Sequence, residues 1–209
     1  MKNISGVFVI AALLILYGCG SVRYVVDSVG VPVEGDSPYF TTLKQWTTGQ
    51  KIYEGVEARL YIYATHKSAA FREAYVDEYA RRYQFDDDMK RVLLQREREA
   101  AERYNEFFVA AYTPRSEWND FEKGDSLWRL YLEGGSGERV SPVEVERLEP
   151  DQILREFFPY FDPWSVAYIV RFPRYAPGGG EVPLVGEGEA MKLIVTGIKG
   201  SGVLEWGVE

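Results

Sequence analysis

The feature that most constrains this chain is a change of hydrophobic period near residue 66. From Ile52 to Thr65 the pattern has period two: Ala58, Leu60, Ile62 and Ala64 share one side, while Glu57, Arg59, Tyr61 and Tyr63 share the other. A strand with one buried face produces that alternation. Beyond Ser68, a residue suited to capping a helix, Phe71, Tyr75, Tyr79 and Tyr83 recur every four residues and make one helical stripe. Asp86, Asp87 and Asp88 interrupt it and can cap a second helix, in which Met89, Val92, Leu93, Arg96, Ala100 and Tyr104 continue the helical spacing. Glu99 and Arg103 add a pair four residues apart in the favourable order. The segment 68–105 therefore reads as a helical hairpin following a strand.

Period-two segments resume after the hairpin: 107–113, 126–133, 140–148, 165–172, 191–197 and 203–208, with a short helix over 151–158. Lys199 to Gly202 suits the turn of a terminal hairpin, and Pro177 to Gly180 suits an exposed loop. Some seven strands joined by Gly/Pro turns predict a mainly β, α+β domain. Its expected form is an antiparallel β-sandwich-like domain carrying the helical hairpin between its first and second strands. A single curved antiparallel sheet packed on the two helices is the alternative.

The N-terminus is of another kind. Lys2 precedes an apolar run from Ile4 to Leu16, and Leu16-Tyr17-Gly18-Cys19 ends in the only cysteine of the protein. A basic start, an apolar stretch and a small residue form an export signal. The 13-residue run falls short of the roughly 20 a spanning helix needs. With the cysteine directly after Gly18, the segment resembles the signal peptide and lipobox of bacterial lipoproteins, although Tyr17 is larger than the residue usual there. The resemblance covers residues 1–19 and implies cleavage between Gly18 and Cys19, acylation of Cys19 and attachment to the membrane through its acyl chains. Gly20, in place of an inner-membrane-retaining aspartate, points to the outer membrane. The expected organisation is a signal peptide over 1–18, an acylated N-terminus and tether over 19–38, and one globular domain over 39–209. Of other readings, an ordinary secretory signal would leave an odd thiol exposed in an oxidising compartment.

Loss of residues 1–18 removes one lysine and no acid, so the formal charge moves from −8 to −9. An acidic surface with no basic run repels nucleic acid. At 46% hydrophobic residues the chain can bury a core. With no cysteine after Cys19, packing rather than disulfides must hold it.

Chemistry-bearing motifs are sparse. His66 is the only histidine, which rules out a zinc or copper site built from imidazoles and thiolates, and no Gly-x-Ser-x-Gly elbow accompanies it. Its expected place is an exposed loop where strand passes into helix. Counted from Asp86 as an EF-hand loop, Glu97 fits the twelfth position, but Arg91 occupies the sixth, where glycine is required. Glu117, Asn119, Asp120, Glu122 and Asp125 read as a solvated acidic loop. The aromatic run Phe157 to Trp164 reads as a corner plug rather than a binding face, and Trp46, Trp118, Trp128 and Trp206 are dispersed. No catalytic, cofactor or metal residue is assigned. The expected function is a lipid-anchored envelope protein acting as a non-catalytic binding or accessory subunit with an envelope protein partner, through an acidic hairpin or a sheet edge. An anchored cell-wall or polysaccharide-active enzyme or carbohydrate binder is the alternative.

Overall fold

The computed structural model describes residues 24–33, 35–183 and 189–207, so Gly18 and Cys19 lie outside the described residues. In chain order the elements are β1 (Tyr24–Ser28), α1 (Pro38–Gln45), β2 (Thr47–Glu54), β3 (Glu57–His66), α2 (Ala69–Tyr83), α3 (Asp87–Arg103), β4 (Tyr104–Tyr112), β5 (Trp128–Glu133), β6 (Arg139–Val140), β7 (Glu144–Arg147), α4 (Gln152–Phe157), β8 (Val166–Pro173), β9 (Ala190–Gly197) and β10 (Gly200–Gly207). They build two antiparallel sheets, of order β1-β2-β3-β4-β8-β7 and β10-β9-β5-β6.

Alternation decides which sheet face meets what. On β3 and β4, Leu60, Ile62, Phe107 and Val109 point inward and join Trp128, Leu132, Leu193 and Trp206 of the smaller sheet in one apolar core. The opposite face of the larger sheet carries Phe108, Ala110 and Ala167, which pack with Tyr39 and Leu43 of α1, Phe71 of α2 and the segment Phe157–Phe161. Phe108 and Phe158 stack with centroids 3.8 Å apart. The larger sheet is thus covered by the smaller sheet on one face and by helices on the other. A second sheet overturns the alternative of one curved sheet and establishes the sandwich-like arrangement.

The aromatic plug is tied down by a chain of buried hydroxyls. Thr47 donates to the Leu43 carbonyl at 2.6 Å. That leaves its oxygen to accept from Thr65 at 2.6 Å, and Thr65 to accept from Tyr160. Each hydroxyl in the series spends one proton, so the chain is satisfied in one direction only.

Several boundaries differ from the sequence expectation. The run 52–65 is not one strand: Gly55, at φ 63°, and the fully exposed Val56 form a tight turn between β2 and β3. The run 140–148 is likewise two strands, one in each sheet, with Ser141-Pro142-Val143 crossing between them. The terminal hairpin turns one residue earlier than expected, at Ile198-Lys199. The helical hairpin enters between the third and fourth strands rather than the first and second. Within the segment read as tether, the strand character expected over 22–29 is realised, because Tyr24–Ser28 pairs with Gln50–Glu54 as an edge strand. The helix α1 was not anticipated; Ser37 caps it by accepting from the Phe40 amide, and Pro38 sits in its first turn.

Candidate functional site

The helical hairpin is the element with the most surface to offer. Ser68 accepts from the Phe71 amide and starts α2; Asp86 accepts from the Met89 amide at 2.8 Å and starts α3. Asp87 and Asp88 follow in the first turn of α3, where they complement the helix dipole. The capping reading of the three aspartates is therefore the observed one. Between the helices Gln84 adopts a left-handed conformation at φ 53° and closes α2.

The two helices are buried very differently. α2 buries Phe71, Arg72, Val76, Glu78 and Ala80, whereas α3, with 17 residues, buries none. Ten of those residues are charged. Over residues 69–103 eight basic side chains face nine acidic ones, so the hairpin is nearly neutral rather than acidic.

At its base the hairpin is fixed by ions. Glu106 on β4 is almost fully buried and meets Lys67 at 2.6 Å, Arg72 at 3.5 Å and Arg171 at 2.7 Å. Glu97 of α3 pairs with the same Lys67, at 3.2 Å, and with Arg72. Arg171 continues outward to Glu144 and Glu146 on β7. Burial by itself would raise the Glu106 carboxyl, but the cations around it outweigh that and hold it at about 2. Such a carboxylate stays ionised and cannot serve as a general acid.

At the other end lies an open groove. Tyr75, Tyr79 and Phe85 form one wall, and Met89, Val92 and Leu93 the other, enclosing about 570 Å³. Met89 is 46% exposed and Val92 62%, while Asp88 and Arg96 stand at the rim. Tyr79 stacks on Tyr83 at 4.4 Å and packs edge-on against Phe85 at 5.5 Å, so the aromatic stripe continues past the sheet into this groove. The sequence pattern gives Met89, Val92 and Leu93 helical spacing without saying which way they face. The available signal was the density of charge around them, which leaves too narrow an apolar stripe to bury a helix.

The remaining candidates fall elsewhere. His66 is not an exposed loop residue. It ends β3, with its ring 5.0 Å from Phe107, 5.6 Å from Trp46 and 6.4 Å from Trp206, and its Nδ1 is sealed from solvent without a partner among the described residues. Desolvation, with Arg72 and Arg174 nearby, pushes its pKa down to about 3. The acidic loop is not simply solvated either. Asn119 and Asp120 are buried; Asn119 donates to the Ala111 carbonyl and accepts from Tyr168, and Asp120 accepts from Ser126. The dispersed tryptophans meet in pairs: Trp206 donates to the Trp46 carbonyl and Trp128 to that of Trp118. In the aromatic run Phe157, Phe158, Tyr160 and Phe161 are core, and Trp164 is 78% exposed.

One further aromatic group lies on the helix-side face of the larger sheet. Tyr61 is paired in register with Tyr112, at 5.6 Å between rings, and lies 5.8 Å from Tyr53. All three tyrosines are half-buried, and the Lys51 ammonium sits 5.0 Å from the Tyr61 ring. Among the described residues no helix is long and apolar enough to cross a membrane, and no cluster of three or more His, Cys, Asp or Glu suits a metal ion. Comparison with protein-family models, with curated proteins and with solved structures yields no match.

Proposed function

We propose that this chain is a lipid-anchored bacterial envelope protein that acts by binding, as an accessory subunit held at the outer membrane through acyl chains on Cys19. The hairpin groove is its recognition surface, and it takes an α-helix of a protein partner. The observation that carries this reading is the contrast within the hairpin: α2 is packed on the body of the protein, while α3 has no fully buried residue and holds Met89 and Val92 open to solvent. A trough between two helices, apolar along its floor and charged at its rim, accommodates the apolar face of a third helix. The anchor follows from Leu16-Tyr17-Gly18-Cys19. Two or three acyl chains, at about 0.8 kcal/mol for each buried CH₂, hold a protein stably without a spanning segment.

Cys19→Ala tests the anchor. The variant is expected to lose acylation and accumulate as uncleaved precursor; processing at residue 18 with unchanged membrane partitioning refutes it. Charge and bulk placed in the groove, as Val92→Glu, test the surface: partner capture in cross-linked envelopes should fall while the fold is retained.

A second reading, carbohydrate binding, is favoured by the row Tyr53-Tyr61-Tyr112, whose rings could stack on sugar faces. Its test is a glycan array with native protein and Tyr61→Ala, where binding that survives the substitution removes this reading.

A further inference from the structure

The charges at the groove rim identify the helix that fits it. Asp88 stands near the N-terminal end of α3 and Arg96 two turns further on, about 12 Å away along the axis. Arg96 has no ion pair or hydrogen bond among the described residues, and Asp88 is engaged only by the exposed Arg91, at 2.7 Å. Glu97 also lines the groove beside Arg96 but is already engaged by Lys67 and Arg72, so the charges left to a partner are opposite at the two ends, placed evenly about Val92, and the groove is complementary to itself.

We propose that the occupant of the groove is α3 of a second copy of this chain, and that the pair forms a two-fold dimer. This rests on the reading above that the groove is a binding surface and Cys19 an anchor. With α3 antiparallel to its counterpart and the two-fold axis at Val92, Asp88 of one copy meets Arg96 of the other, and the pairing occurs twice. Met89 and Val92 of each copy fill the trough of the other, beside Tyr79 and Phe85. The antiparallel arrangement also sets the N-terminal end of each α3 beside the C-terminal end of its partner, so the dipoles attract. Such an interface is isologous and closes at two copies, with no tendency to extend into fibres.

The interface is small. Seventeen residues make a helix about 25 Å long, and two helices side by side are about 20 Å wide. The face therefore covers about 500 Å² per copy, or about 1,000 Å² in total, at the low end for a specific interface. The free dimer should be weak, because a small interface leaves little surplus over the cost of association. Two copies anchored in one leaflet meet at much higher effective concentration, so dimerisation is a property of the membrane-bound protein.

The test is made on the full-length acylated protein in its own membrane. Val92→Cys puts a thiol on the two-fold axis, where two copies face each other. Oxidation should give a disulfide-linked species of twice the mass. Asp88→Arg or Arg96→Asp, each added to Val92→Cys, should lower its yield about tenfold, because each reversal breaks two cross-copy contacts and sets like charges together. The combined Asp88→Arg/Arg96→Asp exchange should restore it, which a folding defect would not do. Dimer yield indifferent to the reversals, or single reversals that the exchange fails to rescue, overturns the proposal. Capture of a protein of different mass only overturns self-docking and leaves the groove as a binding surface. No product with any species overturns both.

Discussion

His66 makes an unusually clean probe of how burial is arranged in this fold. It is the only histidine, so no other side chain with an ordinary pKa between 5 and 8 competes with it. In the unfolded chain it titrates near 6.5; in the folded protein, walled by Trp46, Phe107 and Trp206, its pKa is about 3. Between those values the unfolded state binds a proton that the folded state refuses, so stability must fall as pH falls below 6.5. Each pH unit in that window costs about 1.4 kcal/mol once titration is under way. From pH 7 to pH 4.5 the loss is about 2–3 kcal/mol, which for a chain of this length lowers Tm by about 5–10 °C. The comparison is with His66→Phe, which keeps an aromatic ring in an aromatic site and cannot ionise. Urea denaturation at pH 7, 6, 5 and 4.5 should show the native protein declining and the variant flat. Below pH 4.5 both should decline together, because Glu106 and Glu78, each held near 2, stay ionised in the fold while the unfolded chain takes up their protons. Parallel curves for the two proteins between pH 7 and 4.5 would refute the reasoning, since the imidazole would then be free to protonate in the folded state.

Two further substitutions test what holds the layers together. Glu106→Gln should cost about 3–5 kcal/mol by chemical denaturation, because Lys67, Arg72 and Arg171 keep their charges and lose their common partner; it should also flatten the stability profile between pH 4.5 and 2. Phe158→Ala should cost about 3–5 kcal/mol and weaken near-ultraviolet circular dichroism, since Phe158 is the ring that joins the helical layer to Phe108 on the sheet.

What could be read from the sequence was what depends on neighbours in the chain. The alternation of β3, the capping residues Ser68 and Asp86, and the four-residue stripe of α2 are all local, and the hairpin and mainly β class followed from them. β2 begins at Thr47, before the expected Ile52, and includes Gly49, a residue that strand interiors disfavour; in the fold the ring of Tyr63 lies over it where a Cβ would clash. The strand expected over 140–148 failed because Pro142 and Val143 carry the chain from one sheet to the other, a step without a periodic signature. The setting of His66 depends on Trp46, Phe107 and Trp206, brought together from three separate strands or strand ends. Nor does spacing reveal that Lys67, Arg72, Glu97, Glu106 and Arg171 form one network. Long-range partners decide both, and for those residues the sequence offers composition without geometry.

The division of labour within the hairpin bears on why α3 stays where it is. Its ties to α2, Lys90 with Asp77 and Arg98 with Glu73, are exposed ion pairs and contribute little. The stronger tie is Glu97, which shares Lys67 and the buried Arg72 with Glu106 and so fixes the middle of α3 to β4. Leu93 and Leu94 are half-buried. The position of the helix is thus set from one side by buried charge. Met89 and Val92 are not required to hold it, and removing them leaves every one of those ties intact. Apolar residues that stability does not need, displayed on a helix positioned by other means, are free to serve recognition. A surface built this way can be altered without unfolding the protein, so changes in the groove should separate binding from folding where changes at Glu106 cannot.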